Sequence, residues 1–214
     1  MNSQYKVEYL LESVVSSYLS MVSALALDLH LNRFKESVLQ NLTDIKLSND
    51  YQIPKKVQLY ALDRKCFPRF SISCALRGVF SAIYEGMKHN DVFKNKITSL
   101  LNDNDESFFS IVTLLRNVYS HEISWAVNGE ILLKKTDYDI FIKQRQKKGK
   151  PLSISINVDY SQIFPDVNAP HGYSLNVTVD LTKLADGEKL SSVISLYHQQ
   201  MIADLCFNVC SFIS

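Results

Sequence analysis

The sequence predicts one mainly helical domain in which a small antiparallel β-sheet is inserted before the C-terminal helix. Apolar residues recur at helical spacing through roughly the first half of the chain and again near its C-terminus. Between about residues 130 and 182 apolar and polar residues alternate instead, which is typical of strands with one buried face. The 214 residues are 46% hydrophobic and 21% charged, so the chain can bury the core of a globular domain. We therefore expect a single domain, 1–214, with a β-rich insertion at about 130–182.

Turn and capping signals divide the helical part into separate helices. Ser48-Asn49-Asp50 and Pro54 indicate a loop, and the polar cluster Asn102–Asp105 suits the N-cap of the helix that follows it. The chain from Lys55 to Lys65 is a further helical candidate. The predicted helices are Gln4–Leu31, Asn32–Leu47, Arg69–Met87 with an extension towards Phe93, Glu106–Ile123, and a last one from Gly187 to the C-terminus.

The strands are predicted from three alternating runs that follow the turn signal Asn128-Gly129. Three or four antiparallel strands with one buried face would account for these runs. The apolar positions are Ile140 and Ile142 in the first run, Leu152, Ile154, Ile156 and Val158 in the second, and Leu175, Val177, Val179 and Leu181 in the third.

Charge and hydropathy limit the classes of partner. The formal net charge is +1, from 23 basic and 22 acidic residues, so binding of nucleic acid would have to depend on local basic patches. The N-terminus lacks a basic region leading into an apolar stretch, which favours a cytoplasmic protein. The most apolar stretch, Val14–Leu31, is interrupted by serines, Asp28 and His30 and is interpreted as a buried helix face, without a membrane partner.

The four cysteines do not have the spacing of a structural metal site. Zinc sites use closely spaced pairs near turns, whereas Cys66 and Cys74 are separated by seven residues and Cys206 and Cys210 by three. Cys206 and Cys210 are one helical turn apart in an apolar run, so we expect them to be core residues. No metal, cofactor or disulfide is predicted.

Polar side chains that could take part in catalysis or binding lie on the helix Glu106–Ile123. On a helical wheel the apolar residues Ile111 to Tyr119 occupy one arc, and the opposite arc, about 140° wide, carries Thr113, Arg116, Asn117, Ser120 and His121. Asn117 and His121 are one turn apart and can touch. Arg116 and His121 lie at opposite margins of this polar arc. The arc is either a solvated helix surface or a functional site.

The residues Arg116-Asn117-Val-Tyr-Ser-His121 resemble the signature of the HEPN family, in which Arg is followed by a polar residue and, four positions further, by His near the end of a late helix. The resemblance is sharp over the motif and looser over the surrounding helices. It implies a HEPN-like helical bundle, to which the β-rich segment would be an insertion. Toxin members of the family often carry Tyr two positions after the His, where this chain has Ile123, so modification by their nucleotidyltransferase antitoxins is not expected.

The resemblance also implies metal-independent RNA cleavage at a cleft built by a homodimer. His121 would then act as the acid–base group, Arg116 would bind phosphate, and Asn117 would orient His121 or the phosphate. The expected product is a 2′,3′-cyclic phosphate. The biological setting would be a toxin or an antiviral-defence system, with an antitoxin or sensor protein as partner.

Two further features are compatible with RNA binding. Five basic residues fall within eight positions around Gly149, where the tip of a hairpin between two strands is expected; they would either clamp phosphates or form an ordinary solvated loop. They are Lys143, Arg145, Lys147, Lys148 and Lys150. Trp125 could stack on a base or pack at the helix end.

The alternatives to a ribonuclease are a non-catalytic HEPN-like module that binds nucleotides or a partner, and a plain helical scaffold.

Overall fold

The protein is described by a computed structural model that covers residues 3–40, 43–46, 52–56, 67–101, 104–120, 130–159 and 174–213. Helices take up 74% of these residues, so the mainly helical prediction is confirmed. The helices are α1 (Ser3–Gln40), α2 (Phe67–His89), α3 (Asp91–Leu101), α4 (Asp105–Ser120), α5 (Lys135–Lys147), α6 (Leu190–Val193) and α7 (Leu196–Ile213). The strands are β1 (Ile45–Lys46), β2 (Gln52–Ile53), β3 (Ser153–Asp159) and β4 (Ser174–Asp180).

The N-terminal helix α1 is continuous over 38 residues, so the predicted break between Leu31 and Asn32 is wrong. Neither residue breaks a helix, and propensity alone does not set a boundary there. The helix packs closely on α2, where a Cβ on Gly78 would lie 3.4 Å from the Ser17 hydroxyl. It also contacts α7, since the Tyr18 hydroxyl donates to Asp204 at 2.6 Å. The described part of α1 therefore packs against two helices.

The apolar stretch of α1 has one buried face and one exposed face. Val14 and Met21 are each 1% exposed, whereas Leu19 and Leu29 are 51% and 58% exposed. The segment Glu8–Leu29 is long and apolar enough to cross a membrane, with a mean hydropathy of 1.6. The same segment supplies side chains to the domain core.

A sharp corner separates α2 from α3. The Asn90 side chain accepts a hydrogen bond from the Phe93 amide at 3.0 Å and so caps α3. The Phe93 ring approaches to 3.2 Å of the position that a Cβ on Gly86 would occupy. The predicted extension of one helix to Phe93 is therefore wrong, because the cap at Asn90 starts a new helix.

The sheet before the C-terminal helices is confirmed for two strands. β3 and β4 pair antiparallel, with Ile154 opposite Val179 and Ile156 opposite Val177. Their inward residues are buried and their outward residues are exposed, in the alternation that the sequence predicted. The buried face packs on α4 and α7.

The strand predicted around Ile140 and Ile142 is wrong, because these residues belong to α5. The Asp186 carboxylate accepts from the Lys135 amide at 2.8 Å and caps the start of this helix. At its end, Gly149 adopts a φ of 65°, and the Lys150 amide donates to the Arg145 carbonyl at 3.0 Å. This is a Schellman-type C-cap, for which glycine is favoured. Gly149 therefore ends a helix and does not form the turn of a hairpin.

The C-terminal part of the domain contains a break that the sequence did not predict. Ser195 separates α6 from α7, and its hydroxyl accepts from the His198 amide at 3.2 Å as the N-cap of α7. Cys206 and Cys210 lie in the core, as predicted, and burial raises the pKa of both thiols, that of Cys210 to about 12.

Candidate functional site

The motif helix α4 has the two faces that the sequence predicted. Its apolar arc is buried against α2, β3 and their neighbours. Tyr119, on this arc, is 2% exposed, and its hydroxyl donates to the Gln199 side chain at 2.6 Å. Burial therefore raises the pKa of Tyr119 and removes this tyrosine from the candidate chemistry. The opposite arc, which includes Thr113, Arg116 and Asn117, is half buried.

Arg116 is held in place by an aromatic ring from the neighbouring helix. Its guanidinium carbon lies 5.1 Å from the centre of the Tyr84 ring on α2. Its Nη1 donates to Oδ1 of Asn117 at 3.4 Å. The ammonium of Lys88 lies 5.9 Å from the same Tyr84 ring. Two cations thus share one aromatic residue beside the polar arc of α4.

This arrangement leaves Arg116 able to bind an anion. A guanidinium has five N–H donors in a rigid fork, and a ring contact orients it without using those donors. The contact at 3.4 Å places Asn117 beside the guanidinium of Arg116, a partner other than the His121 and the phosphate that the resemblance implied. His121 and Trp125 lie outside the described residues, which resume at Glu130 after Ser120.

The basic residues expected at a hairpin tip lie instead on the last turns of α5 and just beyond it. Arg145 is 6% exposed and donates to the Ser110 hydroxyl and, at 3.0 Å, to the Pro151 carbonyl. The guanidinium of Arg145 therefore has a structural role within the protein. Lys143 pairs with Asp139 at 3.4 Å and Lys150 with Glu106 at 3.0 Å. Lys147 and Lys148 are exposed.

A groove of about 380 Å³ follows the solvent side of α4 between α3 and α5. Phe109 and Thr113 of α4 lie along it, with Lys94 of α3 on one wall and Lys148 beyond α5 on the other. The ammonium of Lys94 lies 5.9 Å from the centre of the Phe109 ring. Sequence reasoning missed Lys94 and Phe109, because neither belongs to a motif. The only signal was that Phe109 shares a helix face with Thr113 and Arg116.

A second cavity, of about 350 Å³, lies on the other side of α4. Its lining combines apolar residues such as Ile72 and Leu76 with polar ones that include Asp28 and Glu130. The Tyr119–Gln199 pair also lines it, and Gln199 further donates to the Ile194 carbonyl at 2.8 Å. These bonds connect the motif helix to α7.

The described residues contain no group of three or more His, Cys, Asp or Glu side chains that could hold a metal ion. Comparisons with family models, with curated proteins and with solved structures find no match to this chain.

Proposed function

We propose that the protein is a HEPN-like, metal-independent endoribonuclease whose phosphate-binding group is Arg116. The observation that supports the proposal is the position of Arg116 on the half-buried polar arc of α4, against the Tyr84 ring. Because an oriented guanidinium in a partly desolvated site attracts phosphate more strongly than one in bulk water, this arrangement suits phosphodiester chemistry. A toxin or antiviral-defence role in the cytoplasm is the setting that the motif suggests.

The proposed reaction needs no group other than the protein's own side chains. The 2′-oxygen of RNA attacks the adjacent phosphorus as His121 takes up the 2′-hydroxyl proton, and the bond from phosphorus to the 5′-oxygen breaks. The 5′-oxygen leaves with a proton donated by the His121 of the second copy in the proposed dimer. The products are a 2′,3′-cyclic phosphate and a 5′-hydroxyl. Arg116 stabilises the charge that develops on the phosphate oxygens, and Asn117 keeps the guanidinium oriented.

The first prediction is that His121→Ala abolishes RNA cleavage without unfolding the protein. An acid–base group near neutral pKa contributes about 10² to 10⁴ in rate, so the loss should be large. Cleavage of a labelled RNA, with detection of the cyclic phosphate, measures the effect, and circular dichroism checks the fold. Ser120→Ala, a change on the same polar arc without a proposed role, is the matched control and should cleave like the wild type.

The outcomes separate the proposal from its rivals. Equal cleavage by the wild type and His121→Ala would end the catalytic assignment. RNA binding by the wild type without any cleavage would favour a non-catalytic HEPN-like module.

A further inference from the structure

We infer that single-stranded RNA is guided to Arg116 along the groove between α3, α4 and α5, with Phe109 as a base-stacking platform and Lys94 and Lys148 as phosphate contacts. The inference rests on the proposed function, because it identifies the track that would deliver substrate to that site. It adds residues of α3 and of the first half of α4 that the sequence motif does not contain.

The first argument is the alignment of the groove with Arg116, which lies one helical turn beyond Thr113, the last residue of α4 that lines the groove. Phe109, Thr113 and Arg116 are spaced by four and three residues, so they lie in line on one face of α4. Phe109 and Arg116 are about 10 Å apart along the helix axis. A stacked strand that rises ~3.4 Å along its axis per nucleotide would span this distance with about three nucleotides.

The second argument is the charge of the groove. Its lining has four basic side chains and two acidic ones, although the whole chain has a net charge of only +1. The acidic side chains are already engaged: Glu106 accepts from Lys150 at 3.0 Å, and Asp105 accepts from the Glu106 amide at 2.7 Å. The exposed ammonium groups of Lys94 and Lys148 therefore dominate the local potential.

The third argument is the pairing of cations with aromatic rings. Lys94 lies over Phe109, and Arg116 and Lys88 lie over Tyr84, so each end of the track combines a ring with a cation. Proteins that bind single strands use this combination, because any base can stack on a ring while the neighbouring cations follow the phosphates. A duplex keeps its bases stacked inside and cannot use the Phe109 ring in this way, so the groove favours single strands.

The test measures binding separately from cleavage. The probe is a fluorescent 2′-O-methyl RNA hexamer, which lacks the attacking 2′-hydroxyl and stays intact. Phe109→Leu, which keeps an apolar side chain but removes the ring, should weaken binding about tenfold. Lys94→Gln should lower the slope of log K against log salt concentration by about 0.7, the value for one lost phosphate contact on a single strand. Lys183→Gln, which changes an exposed lysine outside the groove that has no proposed role, is the control and should bind like the wild type.

The possible results distinguish the groove from the reaction. Weaker binding by both groove variants, with unchanged melting temperatures and unchanged binding by Lys183→Gln, supports the track. Wild-type binding by Phe109→Leu and Lys94→Gln, in a protein that still cleaves RNA, overturns the track and leaves the proposed reaction standing. A wild-type protein that neither binds the hexamer nor cleaves RNA overturns both.

Discussion

Arg145 resembles a phosphate-binding residue in the sequence, but in the folded protein its side chain makes structural contacts. In the sequence it stands among four lysines and looks like part of a phosphate clamp. In the fold it is 6% exposed, its guanidinium lies 5.7 Å from the Phe141 ring, and it connects α5 to Ser110 on α4. Long basic side chains can be buried along their stems, so charge alone does not place a residue at the surface.

At this scale we predict that Arg145→Ala lowers the free energy of unfolding by about 2–3 kcal/mol, because the buried Ser110 hydroxyl and the Pro151 carbonyl would lose their partner. The pairing with Glu106, at 3.8 Å, adds little, since Glu106 is 55% exposed. Urea unfolding of wild type and variant measures the difference. Lys143→Ala, on the solvent side of the same helix, should stay within about 0.5 kcal/mol of wild type. Equal midpoints for Arg145→Ala and wild type would refute the structural role.

Side-chain caps set the boundaries of several helices, and the Ser195 cap at the start of α7 is the clearest example. The Ser195 hydroxyl accepts from the His198 amide and also lies 3.0 Å from Nδ1 of the His198 ring. Partial burial lowers the pKa of His198 below its ordinary value of 6.5. The position in the first helical turn acts in the same direction, because the positive end of the helix dipole disfavours a second positive charge.

The pH dependence of stability follows from this shift. A histidine whose pKa is lower in the folded state binds protons more readily when unfolded, so stability is lost as the pH falls below about 6.5. We expect the free energy of unfolding to decrease between pH 7 and pH 5.5 and the decrease to be smaller in His198→Gln. Urea titrations at a series of pH values measure both slopes. Parallel slopes for the two proteins would mean that His198 does not contribute to this dependence.

At the scale of the whole molecule, the proposed reaction would need Arg116 and His121 to meet at one phosphate. On a single helix, five residues of separation place Arg116 and His121 about 140° apart around the axis. If the helical path continues to His121, the two side chains would leave it in different directions. A two-fold axis beside the polar arc would set a second arc opposite the first, so that an arginine and a histidine converge on one phosphate. Isologous pairing of this kind is the commonest oligomer symmetry.

The prediction at this scale is that the active species is a homodimer. Light scattering at the concentration of the cleavage assay should give twice the mass of the 24.4 kDa chain. Cleavage per chain should also fall on dilution below the dissociation constant, because the cleft would then lose one of its halves. A monomer that remains fully active throughout the dilution series would contradict the dimer cleft, although not the assignment of Arg116 to phosphate.

The sequence by itself determined the class of the fold and the faces of its elements. Periodicity alone identified α2, α4, β3 and β4, because burial of one face imposes a period of 3.6 on a helix and of 2 on a strand. It also separated the buried Tyr119 from the half-buried Arg116, which differ by three positions on one helix. The same reasoning put Cys206 and Cys210 in the core.

Only the tertiary structure decided what the ambiguous segments become. The residues around Ile140 alternate like a strand, but Tyr138, Phe141 and Arg145 also fit a helix, and the cap from Asp186, far along the chain, selects the helix. A glycine such as Gly149 suits a hairpin turn and a helix C-cap equally, since both use positive φ. The groove that brings Lys94 beside Phe109 joins residues from separate helices. Local sequence fixes the period of an element, whereas its partners, caps and neighbours depend on contacts that form only when the chain has folded.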